Sequence, residues 1–168
     1  MKKQIRVGVW ETNSSAVNSL CWSPKGAERN HLTVHEDGYV HVILDRFYDT
    51  DYHQFFTQKE KLKYIVTWIY HYYNFNIKEK DEWYLWNLFI LEFCKYVNTH
   101  PSKRNNNIEC QGISVSLKLG EDSYDYLNHQ LIDSYIHDDG NCVVNLWNPE
   151  ECVSFIFNKY IGVETNSD

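Results

Sequence analysis

Apolar residues recur at helical spacing in two stretches of the middle of the chain. Thr57 and Glu60 stand three residues apart as a capping box, in which each side chain can satisfy an orphaned backbone amide. The pattern predicts a first helix over residues 57–73 and a second helix over residues 81–98. The residues predicted to face inward are Leu62, Ile65, Val66 and Ile69 in the first helix, and Leu85, Leu88, Phe89, Phe93 and Val97 in the second.

The second predicted helix carries apolar side chains on its other faces as well, namely Trp83, Tyr84, Trp86 and Ile90. A helix that is apolar nearly all round is either central to a fold or part of an interface. Two interpretations therefore stand side by side: a buried helix, or a homodimer that forms through residues 83–96.

Alternation of apolar and polar residues predicts strands in the first third of the chain. Residues 5–10 alternate in this way, with several β-branched side chains. Asp37 and Gly38 form a tight-turn pair between residues 32–35 and 39–46, which predicts a β-hairpin. In its second arm Val40, Val42 and Leu44 share one face and Tyr39, His41, Ile43 and Asp45 share the other, which predicts a half-buried strand.

The last third of the chain mixes strand and helix signals. Strands are predicted over residues 113–119 and 142–147, and residues 124–137 fit either an irregular loop or a short helix. Asn148 followed by proline and two acids predicts a short helix over residues 148–158. This order of elements indicates a single α+β domain over residues 1–168, with a mainly antiparallel sheet packed against two longer helices and one short C-terminal helix.

Composition narrows the class of protein further. Hydrophobic residues make up 43% of the 168 residues, enough for a core of its own. Five cysteines without a CxxC pair argue against a disulfide framework and a structural zinc site, and predict reduced thiols. Because no apolar run reaches membrane-spanning length and no signal-peptide pattern opens the chain, we expect a soluble, cytoplasmic protein.

The net charge of −7 is concentrated in one segment. Residues 119–158 hold eight acids and no Lys or Arg, while the rest of the chain is close to neutral. These acids are Glu121, Asp122, Asp125, Asp133, Asp138, Asp139, Glu150 and Glu151. A negative field repels phosphate and attracts basic surfaces, which argues against direct nucleic-acid binding and favours a protein partner with a basic groove. A solvated acidic face that only confers solubility is the alternative.

Histidine is frequent, but its spacing does not predict a metal site. His31, His35, His41 and His53 lie close in sequence without an HExxH pattern, and periodicity alone does not bring His41 to the turn that follows His35. We expect exposed or hydrogen-bonded surface histidines. The glycines are scattered singly and form no phosphate-binding loop, so no cofactor is expected.

An enzymatic alternative uses polar residues at predicted loop positions. Asn13, Ser14 and Ser15 near one end of the chain could meet His129 and Gln130 in a hydrolytic or nucleotide-processing site. No GxSxG motif surrounds these serines, and strand-end hydrogen bonding explains the same residues.

Four segments resemble small uncharacterised proteins of phages, prophages and Firmicutes. They are residues 7–20 (VGVWETNSSAVNSL), 37–40 (DGYV), 61–67 (KLKYIVT) and 126–130 (YLNHQ). The chain departs from those proteins, which usually carry Phe, Ser, His, Asp and Ser at the positions of Trp10, Ala16, Asn18, Asn128 and Leu131. Two of these departures remove a histidine and a carboxylate, groups that an active site would need.

The resemblance implies an accessory protein of a mobile element, a class that includes inhibitors of host defence such as anti-CRISPR proteins. Together with the charge pattern, it gives the expected function: a non-enzymatic inhibitor in the bacterial host cytoplasm. Its acidic face would bind the nucleic-acid-binding surface of a host defence protein, such as a CRISPR effector nuclease.

Overall fold

A computed structural model describes residues 16–22, 31–44, 53–76, 84–103, 106–117 and 144–167. These residues form an α+β fold of three α-helices and five strands, with a 3₁₀ turn at Pro101–Lys103. In chain order the elements are β1 (Ala16–Trp22), β2 (Tyr39–Leu44), β3 (His53–Phe55), α1 (Gln58–Asn76), α2 (Tyr84–Thr99), β4 (Gly112–Leu117), α3 (Pro149–Phe157) and β5 (Ile161–Ser167). None of the helices in these ranges has an apolar stretch of the length that a membrane span requires.

The predicted capping box begins α1. The backbone N–H of Glu60 donates to Thr57 Oγ1 (3.2 Å), and the Glu60 carboxylate accepts from the backbone N–H groups of Thr57 (2.9 Å) and Phe56 (3.2 Å). The helix continues to Asn76, three residues beyond its predicted end. At α3 the predicted cap is confirmed as well, since Asn148 Oδ1 accepts from the backbone N–H of Glu151 at 3.2 Å.

The inward faces of the two long helices follow the predicted spacing. All four residues predicted for α1 are buried, as are four of the five predicted for α2, the exception being half-buried Leu88. Trp86 and Ile90 are half-buried, whereas Tyr84 and Leu91 are 69% and 67% exposed. The apolar side chains on the other faces of α2 therefore pack largely into the chain's own core.

Strand pairing joins distant parts of the chain. β5 lies in the centre of a three-stranded sheet and pairs antiparallel with β1 on one side and β3 on the other. β2 and β4 form a separate two-stranded sheet and run parallel. Parallel strands need a long crossover connection, and here both long helices lie between β2 and β4 in the sequence.

The predicted turn at Asp37 and Gly38 is confirmed, but its first arm is not a continuous strand. The backbone N–H of Gly38 donates to the His35 carbonyl and that of His35 to the Tyr39 carbonyl, both at 2.9 Å. Gly38 has φ +84°, and a Cβ there would lie 2.9 Å from the Gln111 side chain, so glycine suits this turn. In the second arm Val40, Val42 and Leu44 are buried while Tyr39, His41 and Ile43 are exposed, so the strand is half-buried, as predicted. The strand predicted over residues 5–10 and the ambiguous segment 124–137 lie outside the described residues.

The strand predicted over residues 142–147 is wrong for residues 144–147, which form a bend and a turn. The Asn145 side chain accepts from the backbone N–H of Trp147 at 3.0 Å, and its carbonyl accepts from the N–H of Asn148 at 2.9 Å. Asparagine that bonds its own backbone two residues on favours a turn over a strand, and this turn leads directly into α3.

One cluster of buried residues connects the helices and both sheets. It includes Ile65 of α1, Phe89 of α2 and Ile156 of α3, each 0% exposed. Val42 and Val163 bring the two sheets into the same core. α1 packs against both β2 and α3. Its first turns lie beside β2 of the smaller sheet.

Candidate functional site

A cleft of about 620 Å³ lies between residues 31–35, β2 and the first turns of α1. Its lining residues are His31, Leu32, Thr33, His35, Val40, His41, Val42, Ile43, Lys59, Leu62 and Lys63. The buried side chains among them, Leu32, Val40, Val42 and Leu62, give the cleft an apolar floor. This volume falls within the range of small-molecule sites, about 300–1,000 Å³.

Alternation places the histidines at the mouth of the cleft. In residues 31–35 the exposed His31, Thr33 and His35 alternate with the buried Leu32 and Val34. β2 repeats the pattern, because successive side chains of a strand point to opposite faces. Exposed His41 therefore stands between two buried valines of the floor.

Asp37 fixes one of these histidines. His41 Nε2 and Asp37 Oδ2 are 2.7 Å apart, and the two side chains remain 44% and 51% exposed. The backbone N–H of Tyr39, which donates to Asp37 Oδ1 at 3.0 Å, holds the pKa of Asp37 below its ordinary value, and the hydrogen bond with His41 lowers it further. The carboxylate is thus ionised at neutral pH and orients the imidazole ring.

The tight turn also brings His35 onto His41. The two rings stack with centroids 4.2 Å apart and an angle of 25° between their planes. Periodicity alone does not predict this contact, because it is the turn at Asp37 and Gly38 that folds the two arms together. The sequence does contain a signal for this pair: a tight turn is predicted at Asp37 and Gly38, with His35 before it and His41 after it.

Two lysines of α1 complete the wall opposite the histidines. Lys59 and Lys63 are four residues apart and share one side of the helix. The lining therefore contains five basic or imidazole side chains and no carboxylate, although the chain as a whole has 23 acids against 16 Lys or Arg and 8 His. The lining of the cleft is therefore basic, although the net charge of the chain is −7.

This arrangement is suited to holding an organic anion. Ammonium and imidazolium groups form charge-assisted hydrogen bonds with carboxylate or phosphate, and the floor can take an apolar part of the same ligand. The described residues contain no group of three or more His, Cys, Asp or Glu side chains that could hold a metal ion. His31, His35 and His41 are exposed, as expected for surface histidines.

A second concave surface has the opposite charge. A groove of about 440 Å³ runs between α2 and α3, with Glu92 and Glu150 on its two sides. Tyr96 and Phe157 form an aromatic wall, their ring centroids 4.5 Å apart. Glu92 also pairs with Lys95 at 3.0 Å in an exposed ion pair.

Of the eight acids predicted to form a binding face, Glu150 and Glu151 belong to the described residues. Both are exposed in the first turn of α3, where their negative charges interact favourably with the positive end of the helix dipole. Glu151 has a local role too, since it accepts from the backbone N–H of Asn145 at 3.2 Å. The other six, Glu121, Asp122, Asp125, Asp133, Asp138 and Asp139, lie outside the described residues.

The residues of the alternative polar site lie outside the described residues as well. They are Asn13, Ser14, Ser15, His129 and Gln130. The structure therefore neither brings them together nor separates them.

No family model matches the chain, and no curated protein or solved structure is significantly similar to it. The functional inference accordingly depends on the geometry of the two concave surfaces and on the charge pattern.

Proposed function

We propose that this protein is a non-enzymatic binding protein that holds a small organic anion in the cleft between residues 31–35, β2 and α1. The observation that carries the proposal is the composition of the lining: three histidines, two lysines and no carboxylate around an apolar floor. Two lysines on one side of a helix repel one another, and a bound anion would offset that repulsion.

The nearby acids support the same function. Asp37 is engaged by the Tyr39 N–H and by His41, and Glu60 by the amides of the helix cap. Neither carboxylate lines the cleft. The Asp37 carboxylate orients His41, and the Glu60 carboxylate caps the start of α1.

Calorimetric titration with adenosine monophosphate, citrate and inorganic phosphate tests this function. Lys59→Gln and His35→Ala should each weaken binding of the organic anions by about tenfold or more, because a hydrogen bond to a charged group contributes about 1.5–3 kcal/mol. Lys95→Gln and His100→Ala are matched controls on α2 and just beyond it, since both residues are exposed and neither lines the cleft.

Two results would contradict the proposal. One is the absence of measurable heat with all three probes. The other is an equal loss of affinity in the control variants, which would attribute binding to overall charge.

The acidic groove favours a second candidate function, the inhibition of a host defence protein by binding its basic nucleic-acid-binding surface. Its support is the segregated charge of residues 119–158 together with Glu92 and Glu150, which face a groove with an aromatic wall. A guanidinium group there could form charge-assisted hydrogen bonds with the carboxylates. The resemblance to phage and prophage proteins, and with it a CRISPR effector nuclease as partner, stays a prediction.

An arginine-rich peptide, followed by fluorescence anisotropy, tests the second candidate. Glu150→Lys combined with Lys substitutions of Asp122, Asp125, Asp138 and Asp139 should abolish binding, and wild-type binding should weaken steeply with salt. Lys substitutions of Glu36 and Glu109, two exposed acids outside the segment, are the control. If the charge-reversed variant bound the peptide with unchanged affinity, the acidic surface would be rejected as the binding site.

A further inference from the structure

Two cysteine thiols lie side by side where α2 packs against the segment before β4. Cys94 Sγ and Cys110 Sγ are 3.7 Å apart, close enough for one thiol to donate to the other. Cys94 is half-buried and Cys110 is 3% exposed. Cys94 is therefore the more exposed of the two cysteines and the one that a reagent from solution meets first.

The backbone at Cys110 is held firmly in this position. Asn98, one helical turn beyond Cys94, accepts from the Cys110 N–H at 2.8 Å and donates to the Cys110 carbonyl at 2.9 Å. The two hydrogen bonds fix Cys110 relative to α2, so the two sulfurs stay adjacent. Such proximity makes a reaction between them effectively unimolecular.

We propose that Cys94 and Cys110 form a redox-active dithiol that a low-molecular-weight disulfide, such as glutathione disulfide, converts to an intramolecular disulfide. The thiolate of Cys94 attacks one sulfur of glutathione disulfide, and the first glutathione leaves as a thiolate that takes up the Cys94 proton. Cys110 then loses its proton and attacks Cys94 Sγ, and the second glutathione leaves and is protonated. Two cysteine thiols are oxidised, and one glutathione disulfide is reduced to two glutathione molecules.

The chemistry of Cys94 determines the speed of this reaction. Its hydrogen bond with Cys110 raises the pKa of the Cys94 thiol above its ordinary value, and burial raises it further. Because the thiolate is the nucleophile, oxidation of the dithiol should be slow near neutral pH. The rate of oxidation should rise about tenfold for each pH unit while the thiolate is a minor species.

Mass spectrometry of the oxidised protein tests the proposal. Protein carrying Cys142→Ser, which removes a thiol outside the described residues, is incubated with glutathione disulfide, quenched with acid, alkylated and digested without reduction. The expected product links Cys94 to Cys110 with the loss of two hydrogens and is reversed by dithiothreitol. Cys21 and Cys152, both buried, should be alkylated only after denaturation.

A second variant separates the two steps. In Cys110→Ser the first step should occur and the second should not, leaving one glutathione on Cys94. Thiols that remain reduced at Cys94 and Cys110 in the Cys142→Ser protein, while the same glutathione disulfide solution oxidises dithiothreitol in a parallel tube without protein, would overturn the proposal. A cross-link from either cysteine to Cys21 or Cys152 would overturn it as well. Both of these results come from the Cys142→Ser protein, so they do not depend on whether Cys110→Ser folds.

Discussion

Lys61 occupies an environment that a lysine rarely tolerates. The side chain is fully buried, and its Nζ donates to the backbone carbonyls of Asn158 (2.5 Å) and Ile161 (3.0 Å). It also lies 5.2 Å from the centre of the Phe155 ring. The ammonium thus satisfies carbonyls that follow the end of α3, where a positive charge suits the helix dipole.

Burial lowers the pKa of Lys61 from 10.5 to about 8, an effect that Cys21 and Glu60 partly oppose. The folded protein therefore binds fewer protons than the unfolded chain between about pH 8 and 10.5, and its stability should increase with pH across this window, by about 3 kcal/mol for this group. Urea unfolding of the wild type and Lys61→Met at several pH values measures the effect. The difference between the two proteins should depend on pH, and parallel curves would refute this account.

Residue-scale prediction from the sequence succeeds where a side chain follows its usual chemistry. Ile65 and Val66 are buried as their spacing indicates, whereas burial of Lys61, one position before the predicted inward Leu62, carries no signal in the sequence. Its partners are carbonyls about a hundred residues away, and only the folded chain brings them together. The stacked His35 and His41 are similar, although the turn between them offers a clue.

At the scale of elements, the cap of α1 invites a direct measurement. Thr57→Ala removes the acceptor for the Glu60 N–H and should destabilise the protein by about 1 kcal/mol in urea unfolding. Thr57→Ser keeps the hydroxyl and is the matched control. Equal destabilisation by both substitutions would show that the methyl group, and not the cap, is responsible.

Elements with strong local signals are those that the sequence predicts. The capping box, the turn at Gly38 and the proline at the start of α3 are local patterns, and all three are confirmed. β5 was missed because its residues include the polar run Glu164, Thr165 and Asn166, which lacks apolar alternation. A strand in the centre of a sheet is held by backbone hydrogen bonds on both sides, and these do not require apolar side chains.

At the scale of the molecule, aromatic rings connect α2 to α3. Phe157 stacks on Tyr96 at 4.5 Å and on Phe93 at 6.1 Å between ring centroids. Phe157→Ala should cost about 3–5 kcal/mol of unfolding free energy, because the helices cannot close the space that it leaves. Tyr84→Ala, at a position 69% exposed, should change it by less than about 0.5 kcal/mol. Calorimetric unfolding that shows the same loss in both variants would contradict this role.

The pairing of β5 has a consequence for how the chain is made. β1 and β3 have their shared partner only in β5, which leaves the ribosome after every other described element. Until then the larger sheet lacks its central strand. The Ile161 carbonyl, which accepts a hydrogen bond from Lys61 Nζ, is also still missing. Completion of the core therefore waits until β5 has left the ribosome, and nascent chains arrested before residue 161 should be sensitive to protease where the 168-residue protein is resistant.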